Sequence, residues 1–137
     1  MHTHPPVNYP GILPESPSGH SILLSAGKAN GGKDNCLRPL ELLLLGIGGC
    51  ASIDVIAILK KARQTVSDCE VVVSAERYDG VPAYFTKIHC QFMITGKDLS
   101  DKQAKRAVDI SFEKYCSVSF MLREKAAITW GYDIRND

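Results

Sequence analysis

The stretch that decides the fold reads Pro39-Leu40-Glu41-Leu42-Leu43-Leu44-Leu45-Gly46-Ile47-Gly48-Gly49-Cys50-Ala51-Ser52-Ile53-Asp54-Val55. Its pattern predicts a helix from Pro39 to Arg63. Proline suits a first turn, Glu41 falls near the positive end of the helix dipole, and Lys60, Lys61 and Arg63 suit the other end. Leu42 to Leu45 are apolar on every side, so the helix is expected to be buried nearly all round. Gly46, Gly48 and Gly49 cost about 1 kcal/mol each in helix propensity. Their clustering implies that another backbone, a second helix or a ligand comes close there. The glycines and Asp54 interrupt the apolar run, which reads as too short to cross a membrane.

Upstream, residues 1–19 carry Pro5, Pro6, Pro10, Gly11, Pro14, Pro17 and Gly19, and read as an irregular arm. His20 to Ser25 is a short strand candidate. Ala26 to Arg38, with Gly27, Gly31 and Gly32, reads as an exposed loop. Downstream, Cys69–Ala75 and Tyr84–Thr95 read as two strands joined around Asp79-Gly80 and Pro82. The second alternates, with Ile88, Cys90, Phe92 and Ile94 on one face and Lys87, His89, Gln91 and Met93 on the other. Ser100 begins a further helix, with Gln103 completing a capping box. Ala104, Ala107, Val108, Ser111, Phe112 and Tyr115 form its inner stripe. The helix breaks near Cys116-Ser117, a short helix runs to about Lys125, and Ile128–Ile134 closes the chain as a strand. That order indicates an α+β fold in a single domain over 1–137.

Composition narrows the function. Of 137 residues, 45% are hydrophobic and 23% charged, which is globular rather than disordered. Lys and Arg total 16 against 15 Asp and Glu, so no basic field exists to hold nucleic acid. The amino terminus lacks a basic region followed by an apolar one, so a cytoplasmic protein is expected. Cys36, Cys50, Cys69, Cys90 and Cys116 are an odd set with neither CxxC nor Cys–His spacing. Neither a disulfide framework nor a metal site is expected.

Two cysteines differ from the rest by context. Cys50 follows Gly48-Gly49 in the apolar helix. Cys116 sits at a helix start, where the dipole and free N–H groups lower a thiol pKa. The residues alone leave open whether these are reactive thiols or small core residues. Cys36 in a loop, Cys69 at a strand edge and Cys90 on a core face read as packing residues. Asp54, one turn after Cys50 on the same face, either orients a partner group or makes a structural ion pair, and the ion pair is the expected role. Glu41 is either a first-turn acid or a site residue.

The helix segment Pro39–Val55 and the segment Glu113-Lys114-Tyr115-Cys116-Ser117-Val118 together resemble the two cysteine motifs of the OsmC/Ohr family, the osmotically inducible and organic hydroperoxide resistance proteins. The resemblance runs from about His20 to the carboxyl end and is closest to the YhfA-like branch. It implies an intertwined homodimer in which β-sheets wrap two long central helices, with sites at the dimer interface. It also implies a thiol peroxidase, with catalytic roles at Cys50, Cys116 and Glu41. Cys50 would attack an organic hydroperoxide and become a sulfenic acid, Cys116 would resolve it as a disulfide, and an external dithiol would reduce that. No cofactor, metal, nucleic acid or membrane is implied.

The sequence departs from the pattern at two places. Active members carry glutamate directly after the motif proline, where this chain has Leu40. Glu41 comes one residue later, about 100° round the helix. Active members also use an arginine from the amino-terminal strand. Here the first arginine is Arg38, about 17 Å of helix rise from Cys50, leaving Arg77 or Arg123 of a partner chain as substitutes. The alternative reading is therefore a non-peroxidase relative that binds a small apolar or thiol-reactive ligand in the dimer crevice, as a redox sensor or stress protein.

Overall fold

The structure is a computed structural model that describes residues 3–4, 11–25 and 36–137. The chain forms two compact units, Met1–Leu43 and Leu44–Asp137. In the first, β1 (Thr3–His4), β2 (Gly11–Pro14) and β3 (Leu24–Ser25) form an antiparallel sheet in that order. The arm expected to be irregular thus contributes two strands. Pro14 closes β2 at its end, where proline is tolerated. Of the expected strand from His20 to Ser25, only the last two residues form a ladder. Ser21 makes a lone bridge back to Glu15, around a turn in which Gly19 takes φ +85°. The loop reading over 26–35 lies outside the described residues.

Helix α1 (Pro39–Lys61) begins in the first unit and continues through the second. It ends two residues before the expected Arg63 because Arg63 turns left-handed, at φ 60°. The Arg63 N–H then bonds the Lys60 carbonyl and the Gln64 N–H the Leu59 carbonyl, which answers two carbonyls at the helix end. Within the single chain the expected near-complete burial is not reached. Ile47, Gly48, Ala51, Val55 and Leu59 are buried, whereas Ile53 is 70% exposed. The glycines divide the same way. A Cβ on Gly48 would meet Val73 and Val71 at 3.0 and 3.2 Å, whereas Gly46 and Gly49 face open space. The membrane expectation also needs correction. The glycines and Asp54 do not interrupt the helix, so α1 is long and apolar enough to cross a membrane by length and composition, with 28% of its most apolar window buried.

The second unit's sheet is β4 (Thr65–Arg77), β5 (Phe85–Lys97) and β6 (Ala127–Asn136), in the order β4-β5-β6. The β4–β5 pair is antiparallel, and both strands outrun the expected boundaries because their ladder continues from Thr65↔Lys97 to Arg77↔Phe85. Cys69 consequently lies within β4, opposite Ile94, rather than at its edge. The alternation of β5 is borne out, with Ile88, Cys90, Phe92 and Ile94 all buried. β6 runs parallel to β5, which requires a long crossover between them.

That crossover is α2 (Asp101–Ile110), a π-helical turn (Ser111–Tyr115) and α3 (Ser117–Leu122). Only half of the expected capping box forms. Ser100 Oγ accepts from the Gln103 N–H at 3.3 Å, but the Ser100 N–H donates to Gln64 Oε1 at 2.8 Å. Phe112 joins crossover to sheet. Its ring stacks on Trp130 at 4.7 Å between centroids and meets Phe92 edge-on at 5.9 Å. The Trp130 indole N–H donates to Asp109 Oδ1 at 2.9 Å, which ties β6 to the end of α2. This is a mixed α+β architecture.

Candidate functional site

Cys50 stands half-buried in the middle of α1. It gets there by helix register alone, on the turn after Gly46 and beside the open face at Gly49. Cys116 needs the crossover. At the end of α2 the helix widens by one residue into the π turn, and the Cys116 N–H donates to the Ser111 carbonyl at 2.7 Å. Such turns recur at functional sites. Ser111 is itself buried, and its hydroxyl donates to the Ala51 carbonyl of α1 at 3.1 Å. Cys116 then takes an extended conformation and caps α3, its Sγ accepting from the Ser119 N–H at 3.4 Å. The outcome is a pair. The Cys50 and Cys116 thiols lie within hydrogen-bonding reach of each other, and both are free.

The electrostatics of this pair differ from the sequence expectation. Burial pushes the Cys116 thiol up to about 11. The Ser119 and Val118 N–H groups pull it down and are outweighed, while the hydrogen-bonded Cys50 thiol adds to the rise. The helix-start argument for a lowered pKa at Cys116 therefore fails. A one-and-a-half-turn helix offers little field, and desolvation of the thiolate dominates. Cys90 lies on the core side of β5, close enough for a charge on Cys116 to act on it. Burial pushes it up to about 12. That behaviour is that of a packing cysteine.

Glu41 belongs to the other unit. It is exposed in the first turn of α1, where its Oε1 accepts from the Arg38 N–H at 2.9 Å. The carboxylate caps its own helix. Tyr115, expected on the inner stripe, is 50% exposed. The extra residue of the π turn rotates it off the face that holds Ala104, Ala107, Val108, Ser111 and Phe112.

Asp54 has no ion pair among the described residues, which overturns the expected structural role. One carboxylate oxygen, Oδ2, is shielded from water and has no hydrogen-bond partner. Burial pushes its pKa up. Asp54 opens a cleft of about 600 Å³ along the carboxyl-terminal half of α1. Lys61, Arg106, Glu113, Lys114 and Tyr115 also line it, over a floor that includes Ala57, Ile58 and Ile110. Among the described residues no group of His, Cys, Asp and Glu is arranged to hold a metal ion.

Sequence reasoning gave Ser111 no part in the site. The available signal is a lone hydroxyl on an otherwise apolar stripe, since a buried hydroxyl must find a partner. Its partner, the Ala51 carbonyl, adjoins Cys50 in the chain.

Residues 32–131 match the family model described as OsmC-like protein. The chain is 48% identical over 123 residues to Protein YhfA of Escherichia coli K12, covering 90% of this chain and 89% of that protein. A crystal structure of a hypothetical protein from Aquifex aeolicus VF5 superposes with a TM-score of 0.83 at 26% identity, covering 99% of this chain and 96% of the other. An organic hydroperoxide resistance protein OsmC from Legionella pneumophila shares the fold, with a TM-score of 0.67 at 15% identity over 90% of this chain and 88% of that one. With a family model matched across both cysteine segments and a full-length relative near half identity, the chain belongs to the OsmC-like protein family.

Proposed function

We propose that this protein reduces organic hydroperoxides with two cysteines, Cys50 as the attacking thiol and Cys116 as the resolving one. The observation that carries the reading is the adjacency of the two thiols, one half-exposed in α1 and the other buried at the start of α3. The Cys50 thiolate attacks a peroxide oxygen and the O–O bond breaks. The departing alkoxide takes a proton and leaves as an alcohol, and Cys50 becomes a sulfenic acid. The Cys116 thiol then attacks that sulfur, a disulfide forms and water leaves. An external dithiol restores both thiols by exchange. Family membership supports the reading, as does the fold shared with a protein described as conferring organic hydroperoxide resistance.

The working form in this reading is a homodimer. Gly46, Gly49 and Ile53 make an apolar stripe of α1 that nothing in the described chain covers. Small residues on such a stripe let a second helix approach closely, which is the use the glycine cluster suggests.

A second reading, a ligand-binding relative without turnover, is favoured by one observation. Glu41, the acid nearest the motif proline, is committed to the Arg38 N–H. Stopped-flow consumption of cumene hydroperoxide by the reduced protein separates the two, with Cys50→Ser and Cys116→Ser run beside it. The proposal expects loss of one peroxide per monomer far faster than by a free thiol. Mass spectrometry should find a Cys50–Cys116 disulfide in the native protein and a sulfenic acid in Cys116→Ser. A rate no better than a free thiol's, and unchanged in Cys50→Ser, leaves the ligand-binding reading.

A further inference from the structure

The cleft beside the thiol pair has a charge pattern that the two cysteines do not use. Asp54 lines one end, its Oδ2 shielded and without a partner. Lys61, Arg106, Glu113 and Lys114 line it too, all exposed, and among the described residues none of them makes an ion pair, Lys114 lying over the Tyr115 ring. Among the described residues, two carboxylates and three cations thus stand without ion pairs around one cavity of about 600 Å³. That volume falls within the range of small-molecule sites. A shielded acid that neutralises nothing inside the protein is costly, and such costs persist where something else supplies the counter-charge.

We propose that this cleft binds a small zwitterion of the amino-acid or short-peptide class, its ammonium or guanidinium group on Asp54 and its carboxylate on Lys61 and Arg106. The apolar floor of Ala57, Ile58 and Ile110 receives the aliphatic part. A purely anionic ligand leaves Asp54 unpaired beside it, and a purely cationic one meets Lys61 and Arg106. Only a molecule with both charges answers the lining.

The test uses the full-length protein and the dipeptide Lys-Glu as probe, followed by calorimetry. Cadaverine and glutarate serve as controls that carry one sign of charge each. The proposal expects saturable binding of the dipeptide, weakened at least tenfold in Asp54→Asn and likewise in Arg106→Gln. Cadaverine should lose affinity only in Asp54→Asn, and glutarate only in Arg106→Gln. Asp54→Asn is isosteric and removes the unanswered charge, so its melting temperature should equal or exceed that of the native protein, which confirms folding. No binding to the native protein overturns the proposal, as does binding that neither substitution weakens. So does sedimentation showing that Arg106→Gln splits a dimer, since a second copy would then fill the cleft. Dipeptide binding without peroxide turnover would count against the peroxidase reading and leave the site standing.

Discussion

The Ser111 hydroxyl donates to the Ala51 carbonyl across 3.1 Å in a fully buried setting, and this bond pins the π turn to α1 one residue past Cys50. The same turn also holds Cys116 through its N–H bond to the Ser111 carbonyl at 2.7 Å. Ser111→Ala removes one neutral hydrogen bond, a loss of about 1 kcal/mol in stability. Its larger effect should fall on the pairing of the thiols. With peroxide as oxidant, the rate of Cys50–Cys116 disulfide formation should drop while the rate of Cys50 oxidation holds. Equal slowing of both steps would assign Ser111 a merely structural role.

Gly48 is the glycine of α1 against which the sheet packs. A Cβ there meets Val73 Cγ2 at 3.0 Å and Val71 Cγ1 at 3.2 Å. Gly48→Val forces these valines or the helix to move and should cost about 1–3 kcal/mol, read as a lowered denaturant midpoint. Gly49→Ala meets nothing within the chain. It should show no such loss in the folded protomer, where alanine gains up to about 1 kcal/mol of helix propensity.

Ile53 is 70% exposed in the described chain, on the stripe shared by Gly46 and Gly49. Ile53→Glu should move the protein from dimer to monomer in sedimentation velocity, with helix content kept. An unchanged sedimentation coefficient would place the contact between copies elsewhere.

Two buried thiols predict a loss of stability in alkali. Burial holds Cys90 near 12 and Cys116 near 11, against about 9 for a free thiol. Both values are raised by folding. Their contribution is therefore complete below pH 9, and is lost as pH rises, because the unfolded chain ionises first. The guanidinium midpoint should fall from about pH 9 upward, through about pH 11. Cys90→Ala starts from a lower midpoint and should fall less over the same interval. A midpoint that is flat with pH would contradict the burial of both groups.

Much of the second unit was legible in the sequence, for physical reasons that can be named. Alternation in β5 carries its own geometry, because period two puts Ile88, Cys90, Phe92 and Ile94 on one face. Asp79-Gly80 and Pro82 marked the connection between β4 and β5. Ser100 marked the start of α2, and its oxygen does accept the Gln103 N–H. The strand pairings of the first unit were not legible. β1 and β2 are two and four residues long and set among prolines, so their ladder depends on partners distant in the chain.

Local pattern told which residues could make elements and which two cysteines had distinctive surroundings. Helix register, strand alternation and cap chemistry are local, and a chain carries them wherever it goes. What those residues meet was settled by folding alone. Packing put Gly48 against Val71 and Val73 while leaving Gly49 open. Among the described residues it also left Asp54 without the ion pair its position invited. The π turn set Cys116 against Cys50 and rotated Tyr115 outward. Desolvation then reversed the expected pKa shift of Cys116. Burial and proximity are sums over residues far apart in the chain, and no local pattern contains them.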